Sequence, residues 1–520
     1  MTNEASPGRS GGTAAAPSSR RRPRRRRGGR RDGSDDTLVR VRQLAREKLG
    51  VAHLRPEQER ALRAIVDGKD TLAVLPTGYG KSLLYQATAL LFDRPTVVVS
   101  PLIALMTDQE QALKKRGLPV IRLDSSLRVA ERRSALERLG RGGPLIVLTT
   151  PETLESAQTG ERIAEARPAL LAVDEAHCVS EWGHDFRPAY LRLGQQRERL
   201  GDPQVLALTA TATPHVRDDI VARLAMRDAA LVVAPPHRKN LRFSALVVDG
   251  RTKLEAAGRL LRRLRRPGIV YCATTVEVDR VFAALERARI PADHYHGKMR
   301  KADREAAQER YMRPKKRKVM VATSAFGMGI DKPNIRYVLH YQAPASLEQY
   351  VQEAGRGGRD GRPCSCVLLF DPADLEVQQH LLAQGRPRPD QLRRVARALK
   401  AWAGERRPVS ASDLAHSADV PITATRSLCA RLEELALIEQ TADKDWIIKA
   451  EPDAFEASAE DLARRLDVER VAAERRLGIV REYARTAECR SVFLRRYFGE
   501  DNPPRCGVCD RCTAAARGIL

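Results

Sequence analysis

The sequence predicts an α/β protein: two parallel-sheet lobes, then a probable winged-helix module, then a small helical zinc-binding module. Three observations predict it. Short apolar runs alternate with helical stretches from about 37 to 235, and the pattern repeats from about 236 to 385. Residues 386–450 then read as two short helices with a break between them. Finally, four cysteines gather near the C-terminus. Alternation of strand and helix is the mark of βαβ units and a parallel sheet.

The elements follow in chain order. Residues 1–36 are rich in Gly, Ser, Pro, Ala and Arg, with R-R-R-P-R-R-R-R at 20–27. They carry no apolar periodicity and read as a disordered basic tail, either a phosphate-binding arm or only a solvated one. In the first lobe, 37–235, the strand candidates are Thr71–Leu75, Thr96–Ser100, Leu145–Thr149, Leu170–Asp174 and Val205–Thr209. In the second, 236–385, they are Gly268–Ala273, Val319–Thr323, Tyr337–His340 and Val367–Asp371. Ser412–His416, a break at Ser417–Val420 and Pro421–Leu435 suit a helix–turn–helix, with a β wing over Thr441–Lys449. A plain helical connector is the alternative. Residues 451–520 form a charged helical stretch that leads into the cysteines.

Composition narrows the function. A formal net charge of +25 points to nucleic acid or another anionic surface. No run of 18 apolar residues exists, which argues against a membrane span. Five of the nine cysteines are scattered with no disulfide framework, as suits a reducing cytosol.

Thr77-Gly78-Tyr79-Gly80-Lys81-Ser82 sits between a strand and a helical run. Glycines there let backbone N–H groups approach phosphate at a helix N-terminus. Lys81 would reach the β/γ-phosphates, and Ser82 would hold Mg²⁺. Asp174 and Glu175 end a buried strand: the first would complete the Mg²⁺ shell, the second would orient and deprotonate a water. From the second lobe, Arg356 and Arg359, three apart on an expected helix, would meet the charge that develops on the γ-phosphate. Trp182, His184, Phe186 and Arg187 follow the acids directly, a set suited to stacking bases and touching phosphate. Simple packing is the bland alternative. These residues alone support a nucleic-acid-stimulated nucleoside triphosphatase.

Cys489, Cys506, Cys509 and Cys512 have the spacing of a closed tetrahedral Zn²⁺ site, an iron–sulfur cluster being the alternative. Arg495, Arg496, Arg505 and Arg511 beside them are either phosphate contacts or a solvated basic face. Pro-Lys-Lys-Arg-Lys-Val at 314–319 is similar to a nuclear-localisation signal but leads straight into a strand, so a basic loop is the favoured reading.

At this point the chain resembles superfamily 2 helicases, and specifically the RecQ family, over roughly 40–375 and 480–515. L-R-P-E-Q (54–58) resembles the family's motif 0, which implies that Arg55 and Gln58 recognise adenine. T-G-Y-G-K-S resembles motif I, 100–109 and 149–152 resemble motifs Ia and Ib, and D-E-A-H with its aromatic loop resembles motif II. A-L-T-A-T-A-T (207–213), 321–333 and Gln352–Gly361 resemble motifs III, V and VI. The resemblance implies RecA-like lobes, ATP, Mg²⁺ and Zn²⁺, with Gln352 at the nucleotide and Arg356 and Arg359 as γ-phosphate arginines. It implies 3′→5′ translocation on single-stranded DNA and unwinding of tailed duplexes, in repair or recombination. Single-strand binding protein is a plausible partner, and the bacterial cytoplasm at the nucleoid is favoured over the nucleus. A DNA-stimulated ATPase, translocase or annealing factor without robust unwinding is the alternative; a DNA-binding regulator is disfavoured by the full set of catalytic residues. RNA is a further candidate substrate.

Two departures stand out. Val51 occupies the position where an adenine-stacking aromatic is usual. The winged-helix candidate precedes the zinc ligands instead of following them, so no strand-separating hairpin is assignable beyond a guess at Lys444–Asp445, with Trp446 just after.

Overall fold

The computed structural model describes residues 32–180, 188–236, 238–313, 318–327, 330, 332–384, 388–403, 407–441 and 445–516. Seven strands build the first sheet: Thr71–Val74 (β1), Thr96–Val99 (β2), Val120–Leu123 (β3), Ile146–Thr149 (β4), Leu170–Val173 (β5), Gln204–Thr209 (β6) and Ala230–Val233 (β7). Their order is β3-β4-β2-β5-β6-β1-β7, and every pairing is parallel. Six strands build the second: Leu241–Val247 (β8), Gly268–Tyr271 (β9), Ala292–Tyr295 (β10), Val319–Ala322 (β11), Tyr337–His340 (β12) and Cys364–Phe370 (β13). Their order is β10-β11-β9-β12-β13-β8, again all parallel. The two parallel-sheet lobes predicted from the sequence are present.

Central strands such as β1, β2, β4 and β5 are buried at every residue. Helices cover both faces, and each buried Val or Leu contributes ~1.5–3 kcal/mol. Two cores flank the first sheet, with Ala73, Leu84 and Val98 on one side and Leu72, Val97 and Tyr190 on the other. Because β5, β6 and β1 are neighbours, the loops after them emerge side by side at the carboxyl ends, where open α/β sheets bind ligands.

After the helix Ala373–Gln384 come three helices, Pro389–Ala403, Ala411–Ala418 and Ile422–Glu434, and an antiparallel pair, Ile438–Gln440 (β14) and Trp446–Ile448 (β15). Ser410 starts the middle helix by accepting the Asp413 N–H at 3.1 Å. Asp419 ends it in the left-handed region at φ +50°. Two helices stand where the helix–turn–helix was expected; the β pair begins earlier than the wing expected over Thr441–Lys449, with its first strand at Ile438–Gln440, and Lys444 lies outside the described residues. Leu392, Leu414, Leu428, Trp446 and Phe455 give this unit a core of its own.

The helix Pro452–Arg485 runs 34 residues, about 50 Å at 1.5 Å per residue. Its first half, through Leu466, packs in that core. Its last turns, Val480, Tyr483 and Ala484, pack on the second lobe with the cysteine module. At the other end of the chain, the helix Asp32–Leu49 begins inside the segment expected as tail. Its residues Leu38, Val41 and Ala45 bury against the first lobe, an apolar spacing that the flanking charges hid. Among the described residues, no helix is long and apolar enough to cross a membrane.

Candidate nucleotide site and zinc centre

The two lobes meet around a cleft of about 660 Å³. From the first lobe, Thr77, Gly78, Gly80, Lys81, Ser82, Asp174 and Glu175 line it; from the second, Gln352, Arg356 and Arg359 do. Gly78 and Gly80 hold φ of +77° and +85°, a region glycine enters without the Cβ clash other residues meet. That turn brings Lys81 and Ser82 to the N-terminus of the helix Ser82–Ala89.

Contact between the lobes is close. A Cβ on Gly78 would stand 3.3 Å from the Arg359 side chain, and one on Gly355 would stand 3.0 Å from Thr77 Cβ. Arg356 is buried and donates to Gly327 O, while its Nε has no partner among the described residues. The arginines do not share a helix face as expected. The helix Leu347–Ala354 ends before them, and a turn with Gly358 at φ +56° carries both into the cleft. Sequence reading missed what holds this turn. Arg238 donates to Gly355 O at 2.7 Å and Asn240 to Gly358 O at 2.7 Å and Arg362 O at 2.8 Å.

Asp174 is buried. That burial, reinforced by the Glu175 charge, pushes it up to about 7, against the pull of Lys81. Glu175 sits at φ +49°, a left-handed position unusual for a non-glycine residue. Its Oε2 is buried without a hydrogen-bond partner among the described residues. A carboxylate so placed is ready to accept from a water or substrate group. Next to it, His177 Nδ1 lies 3.4 Å from Glu175 Oε2 and 2.9 Å from Thr209 Oγ1. Thr209 Oγ1 in turn accepts from Thr211 N at 3.3 Å. The D-E-A-H and A-L-T-A-T-A-T segments are thus joined by one polar chain.

Beside the cleft, the Arg55 guanidinium lies 4.3 Å over the Tyr79 ring. Burial and Glu57 push the Tyr79 phenol up to about 12. Gln58 donates to Tyr79 O at 2.9 Å and Gly80 O at 3.2 Å, bracing the glycine turn. Val51 packs on the first-lobe core. Trp182, His184, Phe186 and Arg187 lie outside the described residues. In the basic run before β11, Lys318 pairs with Asp293 at 2.9 Å, as a basic loop before a strand would; 314–317 are not among the described residues.

The sulfurs of Cys489, Cys506, Cys509 and Cys512 all lie within 4.8 Å of one another, with Cys489 3.5 Å from Cys506 and 3.8 Å from Cys509. Tetrahedral thiolates at 2.3 Å from zinc stand about 3.8 Å apart, so the four residues fit that ion. Arg490, fully buried, forks onto Asp510 at 3.0 and 3.1 Å. Asp510 also accepts Ala245 N of β8 at 3.2 Å, tying the module to the second lobe. Two of the arginines read as candidate phosphate contacts are engaged within the module: Arg495 with Glu500 at 2.7 Å and Arg496 with Glu488 at 3.0 Å.

Fold and cleft together define a two-lobed motor of the superfamily 2 helicase class. Family models agree: "DEAD/DEAH box helicase" matches 55–220, "Helicase conserved C-terminal domain" 252–361 and "RecQ zinc-binding" 457–513. The chain is 42% identical over 350 residues to ATP-dependent DNA helicase RecQ of Bacillus subtilis (67% of this chain, 59% of the relative). It is 38% identical over 366 residues to the probable ATP-dependent DNA helicase RecS of the same organism (70% and 73%). The solved structure of Mycobacterium smegmatis helicase Lhr bound to ssDNA and AMP-PNP shares the fold at TM-score 0.51 and 24% identity, over 80% of this chain and 61% of that one. The chain belongs to the RecQ family of helicases. It spans about three fifths of the length of the Bacillus RecQ.

Proposed function

We propose that the protein is an ATP-dependent DNA helicase that moves 3′→5′ on single-stranded DNA and opens tailed duplexes, in repair or recombination. One observation carries this reading: a single cleft is lined by Lys81, Ser82, Asp174 and Glu175 from one lobe and Arg356 and Arg359 from the other. ATP bound there bridges the lobes, and hydrolysis releases the bridge, so the chemistry becomes lobe motion. Lys81 and the glycine turn hold the phosphates, and Arg55 and Gln58 face the base. Ser82 and Asp174 would hold Mg²⁺, which would supply positive charge to neutralise the phosphates. Glu175 accepts a proton from the attacking water. Arg356 and Arg359 stabilise the charge on the transferring phosphoryl group. Trp182, His184, Phe186 and Arg187 report the presence of DNA to Glu175, a role that rests on the RecQ resemblance of their segment.

The proposed units are a basic tail (1–31, shortened because the helix Asp32–Leu49 belongs with the first lobe), two lobes (32–235 and 236–385), a winged helix (386–450) and a zinc module (451–520). A second reading, a DNA-stimulated ATPase or annealing factor without robust unwinding, is favoured by the winged helix standing before the zinc ligands. ATP hydrolysis measured with single-stranded DNA or RNA of one sequence tests the substrate. Stimulation by DNA, lost in Trp182→Ala with basal turnover kept, is expected; equal stimulation by RNA overturns the DNA assignment.

A further inference from the structure

Away from the cleft, the second lobe holds a cluster of ligand-type side chains that the motor does not use. The strand β10 is an edge of its sheet, and His294 and His296 lie at and just past its carboxyl end. Two apart in extended chain, they project to one face. Asp279 reaches them from the adjacent helix Thr275–Arg287. One ligand atom from each of the three lies within 4.8 Å of the others, and His296 Nε2 is already 3.1 Å from Asp279 Oδ1. The His296 side chain is only 9% exposed, and its Nδ1 is buried with no hydrogen-bond partner among the described residues. Phe282, with its centroid 4.4 Å from that of His294, walls one side and limits the rotation of that ring.

We propose that Asp279, His294 and His296 form a second metal site, for a divalent ion of the zinc type. Imidazole and carboxylate ligands suit Zn²⁺, and two His with one carboxylate is a known ligand set for it. The ligands of a tetrahedral zinc stand about 3.4 Å apart. The ligand atoms lie within 4.8 Å of one another, so closure needs at most about 1.4 Å of side-chain movement; Asp279 is 58% exposed. Three protein ligands leave a fourth position for water or an oxygen of a phosphate. The ion would pin the helix Thr275–Arg287 to the end of β10. The site differs from the cysteine centre in chemistry and in place.

Zinc content of the full chain tests this, by elemental analysis after equilibrium dialysis against micromolar Zn²⁺. The wild type is expected to hold two zinc ions per chain. His294→Ala and Asp279→Asn should each hold one, retained by the cysteines, which also reports that the variants are folded. With Co²⁺, the second equivalent should give visible bands without the thiolate charge-transfer absorption of the first. A wild type that holds one zinc, or variants that keep both, would overturn the proposal.

Discussion

Asp174, proposed to hold Mg²⁺, shows how one buried carboxyl works against folding. Its proton is held to about pH 7 in the folded chain, against about 4 in an unfolded one. Its contribution therefore favours folding at acid pH and is lost as the pH rises through 7. Asp174→Asn should raise the thermal midpoint at pH 8 by a few degrees while abolishing ATP hydrolysis, read by calorimetry and phosphate release. For the same reason Mg²⁺ affinity should climb between pH 6 and 8, because the metal must displace that proton. Across the cleft, Arg359 lies against Gly78 where the terminal phosphate is expected. Arg359→Ala should lower kcat for ATP by about 10³-fold with KM changed far less. A rise in KM with kcat unchanged would make Arg359 a binding residue only. What sequence reading saw here were the motif residues. It did not see the His177–Thr209 link or the Arg238 and Asn240 brace, because each joins segments distant in the chain through hydrogen bonds that have no sequence period.

Among the elements, the strands the sequence revealed and those it hid divide along a physical line. The apolar quartets of β1, β2, β4 and β5 are buried on both faces and read as continuous hydrophobic runs. Missed were β3, β7, β8 and β10, and these are the four sheet edges. An edge strand needs less apolar surface: β10 is Ala-Asp-His-Tyr, β8 alternates buried and exposed residues, and β3 carries Arg122. The arginine turn was taken for helix because its glycines left no hydrophobic pattern to contradict one. In the zinc module, spacing revealed the ligands but not the clamp. Asp510→Ala leaves the buried Arg490 without its carboxylate and should cost about 3 kcal/mol. Urea unfolding with zinc release as the signal measures it; loss of less than about 0.5 kcal/mol would place the clamp outside the stability of the module.

At the scale of the whole molecule, one 34-residue helix joins the helix–turn–helix core to the zinc module and the second lobe. Rotation of that lobe would carry the helix–turn–helix unit with it. The net charge of +25 implies that binding loses affinity steeply with salt. Removing residues 1–31, which hold the Arg-rich run, should flatten that slope; an unchanged slope would take the tail out of the binding account. We propose that ATP closing the cleft between the lobes drives strand separation. Its most direct measurement is strand displacement, with ATP and Mg²⁺, on duplexes bearing a 3′ or a 5′ single-stranded tail, with Lys81→Ala as the control. Displacement from the 3′-tailed duplex alone, lost in Lys81→Ala, is expected. Displacement from neither duplex, with ATP hydrolysis still stimulated by single strands, would contradict it and leave a translocase or annealing factor.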